Sequence, residues 1–153
     1  MIIKRFALVL ISAIVLMACN NNEIFKVISQ SDVVGNKNVT IQELEYDAEK
    51  LAKSFPGFSV ADLKNGVYMF NASEDTSYIL FHSEGELYSN ISFNVKDKVL
   101  QITYQSEADK GLGMNSLFLV KKKDEKDFDT IDLQNNGETD HFNTVFVTHI
   151  HTT

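Results

Sequence analysis

From Asn65 onward the chain is a series of short segments in which apolar and polar side chains alternate, and that alternation limits it to β-structure. Leu87–Val95 is the clearest case. Leu87, Ile91, Phe93 and Val95 fall on one face with Ser89, and Tyr88, Asn90, Ser92 and Asn94 on the other. Successive side chains of an extended strand point to opposite sides, so the segment reads as a strand with one buried and one wet face. The same reading gives strands at Val67–Ala72, Tyr78–Ser83, Val99–Ser106, Leu117–Val120, Phe128–Leu133 and Phe142–Ile150, seven in all. Their connections are short, which favours sequential antiparallel neighbours. The expectation is a mainly β antiparallel meander of about seven strands, closed as a small barrel or stacked as a sandwich.

One amphipathic helix is expected ahead of the strands. Thr40 and Glu43 have the spacing of a capping box, and Ile41, Leu44, Ala48, Leu51 and Phe55 recur three and four residues apart. Pro56 stops that pattern, so the predicted helix runs over about Ile41–Ser54. Before it, Glu23–Gln30 fits a strand or a helical turn, and Ser31–Asn38, containing Gly35-Asn36, reads as a loop.

The first nineteen residues are of another kind. Lys4 and Arg5 precede an apolar run of twelve residues, Phe6–Met17, broken only by Ser12 and ending in Leu16-Met17-Ala18-Cys19. A membrane-spanning helix needs about 20 apolar residues, whereas a signal peptide needs roughly 7–15. The segment resembles the signal peptide of a bacterial lipoprotein, with its lipobox ending at the cysteine. The resemblance implies cleavage between Ala18 and Cys19 and a diacylglyceryl thioether on Cys19. Two acyl chains hold a protein stably on a membrane where one binds reversibly. On this reading residues 1–18 are the signal peptide, 19–38 the lipidated cysteine and its tether, and 39–153 a single β-rich domain. The implied location is the extracytoplasmic face of the cell membrane.

Composition then excludes several functions. Removing Lys4 and Arg5 leaves 12 cationic against 21 acidic side chains, a net charge of −9, which nucleic acid and anionic surfaces repel. The mature chain would hold no arginine, and Cys19 is the only cysteine, so disulfides and thiolate catalysis are absent.

No catalytic constellation is complete. His149 and His151, two apart on a predicted strand, point to one side and form a candidate pair of zinc ligands, with His82, Glu84 and Glu86 as sources of a third. His141, eight residues before His149, lies about 26 Å away along one extended strand. Asp132–Asn143 carries part of a calcium-loop pattern, but Gln134 and Asn143 stand where ligands are required, and Asn136-Gly137 is explained by a hairpin turn. Gly111–Ser116 lacks the third glycine of a dinucleotide fingerprint and reads as a connector or binding loop. Lys121–Lys123 is answered by Asp124, Glu125 and Asp127, as in a self-paired turn. Tyr68, Tyr78, Tyr88 and Tyr104 are the candidate ligand-binding residues, on the expectation that a closed sheet would turn part of its aromatic lining to a cavity. Three function classes follow: a lipoprotein binding a small apolar ligand or an envelope protein, a metal-dependent envelope enzyme using His149 and His151, and a structural lipoprotein acting by contact or exclusion.

Overall fold

The structure is a computed structural model that describes residues 25–109, 111 and 113–148. Ten strands form two stacked sheets: β1 (Val27–Val33), β2 (Asn36–Leu44), β3 (Gly66–Asn71), β4 (Thr76–His82), β5 (Glu86–Lys96), β6 (Val99–Ala108), β7 (Ser116–Lys122), β8 (Thr130–Asn135), β9 (Glu138–Asp140) and β10 (Thr144–Val147). Six strands make one sheet in the order β1-β2-β7-β4-β3-β10, and four make the other in the order β5-β6-β8-β9. The fold is mainly β, and the sheets do not close into a barrel.

The meander expectation is overturned. β10 lies parallel to β3, β8 lies parallel to β6, and β7 is inserted between β2 and β4. The reason is visible in β7 itself. Leu117 and Leu119 pack on one side of the sheet, and Phe118 and Val120 on the other. A strand apolar on both faces gains most at the centre of a sheet covered on both sides.

Those two covers define the core. Val39, Ile41, Val67, Ile79, Phe81 and Val120 meet Val95, Leu100, Ile102, Tyr104 and Leu133 of the four-stranded sheet. On the outer face, Leu44, Tyr68, Phe70, Leu80, Leu117 and Leu119 are covered by Leu51, Phe55, Phe58, Leu63 and Phe25. Both clusters, with their packed neighbours, fall within residues 25–146. A fragment starting at Asn20 therefore carries every residue of both.

The predicted helix is corrected as well. Its first half is strand β2, and only Ala48–Ser54 is helical (α1). Val39, Thr40 and Ile41 are β-branched, and β2 pairs with β1 on one edge and β7 on the other. Ile41 faces the inner core and Leu44 the outer layer, so the two never share a helical stripe. The helix is capped by Asp47 instead of Thr40, with Oδ1 accepting from the Lys50 N–H at 3.0 Å. Seven residues are too few for a stable free helix, and burial of Leu51 and Phe55 against the sheet holds this one.

Ser31–Asn38, expected as a loop, is instead the end of β1, a tight turn and the start of β2. That turn ties one edge of the stack together. Val95 donates its N–H to the Val34 carbonyl at 2.9 Å, and Gly35 has φ +91. A Cβ at Gly35 would run into the Val95 carbonyl, so only glycine fits.

β5 departs from simple alternation too. A register irregularity between Ser89 and Ser92, with Asn90 at φ 51, shifts the phase of the strand. Tyr88 therefore joins Ile91 and Phe93 against the inner core while Leu87 turns to solvent.

Candidate functional site

The inner faces of β3 and β4 change character along their length. Val67 pairs with Phe81 at one end, Met69 with Ile79 in the middle, and Asn71 with Ser77 at the other end. The end holding Val67 and Phe81 is filled by aromatic rings. Phe81 contacts Tyr88, Tyr104 and Phe118 at centroid distances of 5.6, 5.1 and 5.9 Å, and Phe93 meets Phe118 at 5.1 Å. At the opposite, far end the facing side chains are small and polar. Ser77 Oγ donates to Asn71 Oδ1 at 2.8 Å, and neither side chain reaches the second sheet with an apolar group.

The gap so left is a cleft of about 550 Å³ between the sheets. Met69, Val120 and Val147 line it from the six-stranded sheet, and Phe128, Ile131 and Phe142 from the other side. Its size falls in the range of small-molecule sites, and the mixture of apolar walls with a few polar groups is what such sites have. The polar rim consists of Glu74 and Asp75 in the β3–β4 turn, Lys122 at the end of β7, and Asp129 and Thr130 at the start of β8.

Two local devices shape this rim. Asp75 is held below the usual carboxylate range chiefly by the Ser73 hydroxyl and by Thr76 Oγ1, which donates at 3.1 Å. Asp127, buried in the 3-10 turn Glu125–Asp127, pins that turn to β2. Burial opposes the Asp127 charge, but four donors outweigh it and lower its pKa. They are Asn38 Nδ2 at 3.0 Å, the Asp124 N–H at 2.9 Å, Asn36 Nδ2 at 3.2 Å and the Lys123 N–H at 3.1 Å. The Lys121–Asp127 charge run is thus more than a solvated turn, because one of its acids is an internal fastening.

The four candidate tyrosines do not converge, and none of them lines this cleft. Tyr68 and Tyr78 lie in the outer layer, where Tyr68 Oη donates to the Lys64 carbonyl and accepts from its N–H, both at 3.1 Å. Tyr88 and Tyr104 lie in the inner core with ring centroids 5.7 Å apart. The Tyr104 hydroxyl donates to Asp140, and burial followed by that carboxylate pushes its pKa far up. Burial raises Tyr88 as well, and its hydroxyl has no hydrogen-bond partner among the described residues. These are core residues.

His82 ends β4 in the buried interior, opposite Gly66. Neither ring nitrogen has a hydrogen-bond partner among the described residues, and Nε2 stands 3.9 Å from Glu84 Oε1. Burial lowers its pKa, against the opposing pull of Glu84. Thr148 Oγ1 bonds to the Asn71 and Ala72 carbonyls at 3.1 Å, at the other end of β3 from Gly66. Cys19, His149 and His151 lie outside the described residues. Among the described residues no three His, Cys, Asp or Glu side chains come together as a metal site. No helix among them is long and apolar enough to cross a membrane.

Asp132–Asn143 is not a calcium loop. It forms β8, the turn at Asn136-Gly137 with φ of 52 and 84, and β9, and the Asp132 carboxylate accepts from the Gln134 side chain at 2.7 Å. In the Gly111–Ser116 segment, Met114 is 77% exposed and Asn115 Oδ1 accepts from the Ser83 N–H at 2.9 Å.

What sequence reasoning missed is the cleft itself. Met69 and Val120 were assigned to strands and Phe142 to the last strand. Their convergence with Ile131 requires the parallel pairing of β8 with β6, which no local pattern encodes. Comparison with protein-family models, with curated proteins and with solved structures found no match to this chain.

Proposed function

We propose that this chain is a bacterial lipoprotein, held on the extracytoplasmic face of the cell membrane through lipid on Cys19, whose β-domain binds a small ligand in the cleft between its sheets. The anchor is supported by the lipobox-like Leu16-Met17-Ala18-Cys19 at the end of a signal-length apolar run. The observation that carries the binding role is the cleft, with apolar walls from both sheets and a polar rim at one end.

The position of Phe25 bears on how such an anchor would hold the domain. Glu45 donates its N–H to the Lys26 carbonyl at 2.8 Å, beside the Val27–Leu44 pair, and Phe25 folds over the outer layer onto Tyr78 at 5.5 Å. Lys26 and Glu45 lie at the end of the six-stranded sheet away from Asn71 and Lys122, and Phe25 turns back over the outer face to Tyr78, the neighbour of Ser77. Phe25 is six residues after Cys19, a reach of at most about 20 Å. An anchor on Cys19 therefore holds Phe25 within about that distance of the membrane surface.

Cys19→Ala tests the anchor. In the producing cell it should abolish incorporation of labelled palmitate and release the protein from the membrane fraction; unchanged fractionation and labelling would refute lipidation. For the binding role, thermal unfolding of the fragment from Asn20 should rise with small apolar ligands. Ile131→Trp, which fills the cleft, should remove that shift. A shift that survives in the variant places the ligand elsewhere.

A further inference from the structure

The charges around the mouth narrow the chemistry of the ligand. Glu74, Asp75, Asp129 and Lys122 all line the cleft, and Lys122 is the one cation among the described residues that do. Lys122 is already shared. Its Nζ lies 4.8 Å over the Phe128 ring and 3.4 Å from the Phe128 carbonyl, and its charge acts on both Asp75 and Glu125. Lys98 stands 4.0 Å from Asp129, in an exposed pair that water screens. On the other side Glu74 lies against Glu125, and this neighbour pushes the Glu125 carboxyl above its ordinary range. Among the described residues lining the cleft, three carboxylates thus stand against the single ammonium of Lys122, while Lys121 and Lys123 share a neighbouring hollow with Asp75.

We propose that the cleft takes a small amphipathic cation, an amine whose hydrocarbon body lies on Met69, Val120, Ile131 and Phe142 and whose ammonium sits between Glu74 and Asp75. The proposal rests on the reading of the cleft as a ligand site and adds the charge of the ligand. An anionic head would face an excess of carboxylates, and a neutral one would gain nothing from them. The Phe128 wall already accommodates one ammonium, that of Lys122.

Octylamine, octanol and octanoate share a body and differ in charge, so titrating each into the fragment from Asn20 separates body from head. Octylamine should bind roughly tenfold tighter than octanol, with octanoate weakest, and its advantage should shrink at high salt. Glu74→Gln with Asp75→Asn should reduce octylamine affinity about fivefold and leave octanol unchanged. Equal affinity for amine and alcohol would overturn the cation proposal while leaving the cleft as a ligand site. Tighter binding of octanoate would overturn it too, as would amine binding indifferent to the two substitutions. Failure of all three probes to bind would remove the ligand-site reading and the proposal with it.

Discussion

The two ends of the inter-sheet space share β3, β4 and β7 as one wall and have opposite fates. Where Val67 faces Phe81, the sheets are locked by Phe81, Tyr88, Tyr104, Phe118 and Phe93. Where Asn71 faces Ser77, the same two strands carry side chains too small and too polar to span the gap, and a cleft of about 550 Å³ remains. The contrast teaches that an opening between packed sheets can be produced by tapering side-chain size along one strand pair where the facing wall passes from β5 and β6 to Phe128, Ile131 and Phe142. Stability and binding are thereby assigned to different ends of one core.

Substitution at the closed end should have the largest effect. Phe81 is fully buried, so Phe81→Ala removes its packing and leaves a cavity, at a cost of about 3–5 kcal/mol by chemical denaturation. Ser77→Leu at the open end should change stability by less than about 1 kcal/mol while abolishing ligand uptake. Comparable destabilisation at both positions would show that the two ends are not distinct.

Asp127 comes next, because it fastens the 3-10 turn that leads into β8 and the cleft wall. Asp127→Ala leaves the Lys123 and Asp124 N–H groups and the Asn38 amide without their carboxylate acceptor, while the Asn36 amide keeps the Asp127 carbonyl at 3.3 Å. The substitution should cost about 2 kcal/mol. If stability is unchanged, water replaces the carboxylate and the turn is not held by it.

The smallest effect should be a pH dependence at the closed end. His82 has a folded pKa lowered from the ordinary 6.5, so the unfolded chain binds the proton more readily than the folded one. Its contribution is therefore fully present above about pH 6.5 and is lost as pH falls from there through the folded value. His82→Leu, which needs no hydrogen-bond partner in a buried site, should flatten stability between pH 7 and pH 5 relative to the parent chain. Parallel pH profiles for the two proteins would exclude His82 as the source.

How much of this was legible in the sequence follows from which residues act locally. Alternation located β3 to β8 to within a few residues, because one face of each is buried or each is apolar throughout. It failed at β2, where Ile41 and Leu44 imitate a helical stripe while facing opposite sides of a sheet. It also failed at Tyr88, where the irregularity around Asn90 reverses the phase. The fully apolar Leu117–Val120 already signalled a strand covered on both faces, and that signal outweighs the economy of a meander. The cleft depends on register and on a parallel pairing between distant strands, so no single segment announced it. Of the tyrosines expected to line a cavity, Tyr88 and Tyr104 fill the closed end of the core, and Tyr68 and Tyr78 lie in the outer layer.

The most direct test of the account is amide NMR on the fragment from Asn20, titrated with octylamine. Shifts should concentrate at Met69, Asn71, Ser77, Lys122 and Ile131, with Tyr88 and Tyr104 unmoved. Shifts centred on Tyr88 and Tyr104, or none at all, would contradict it.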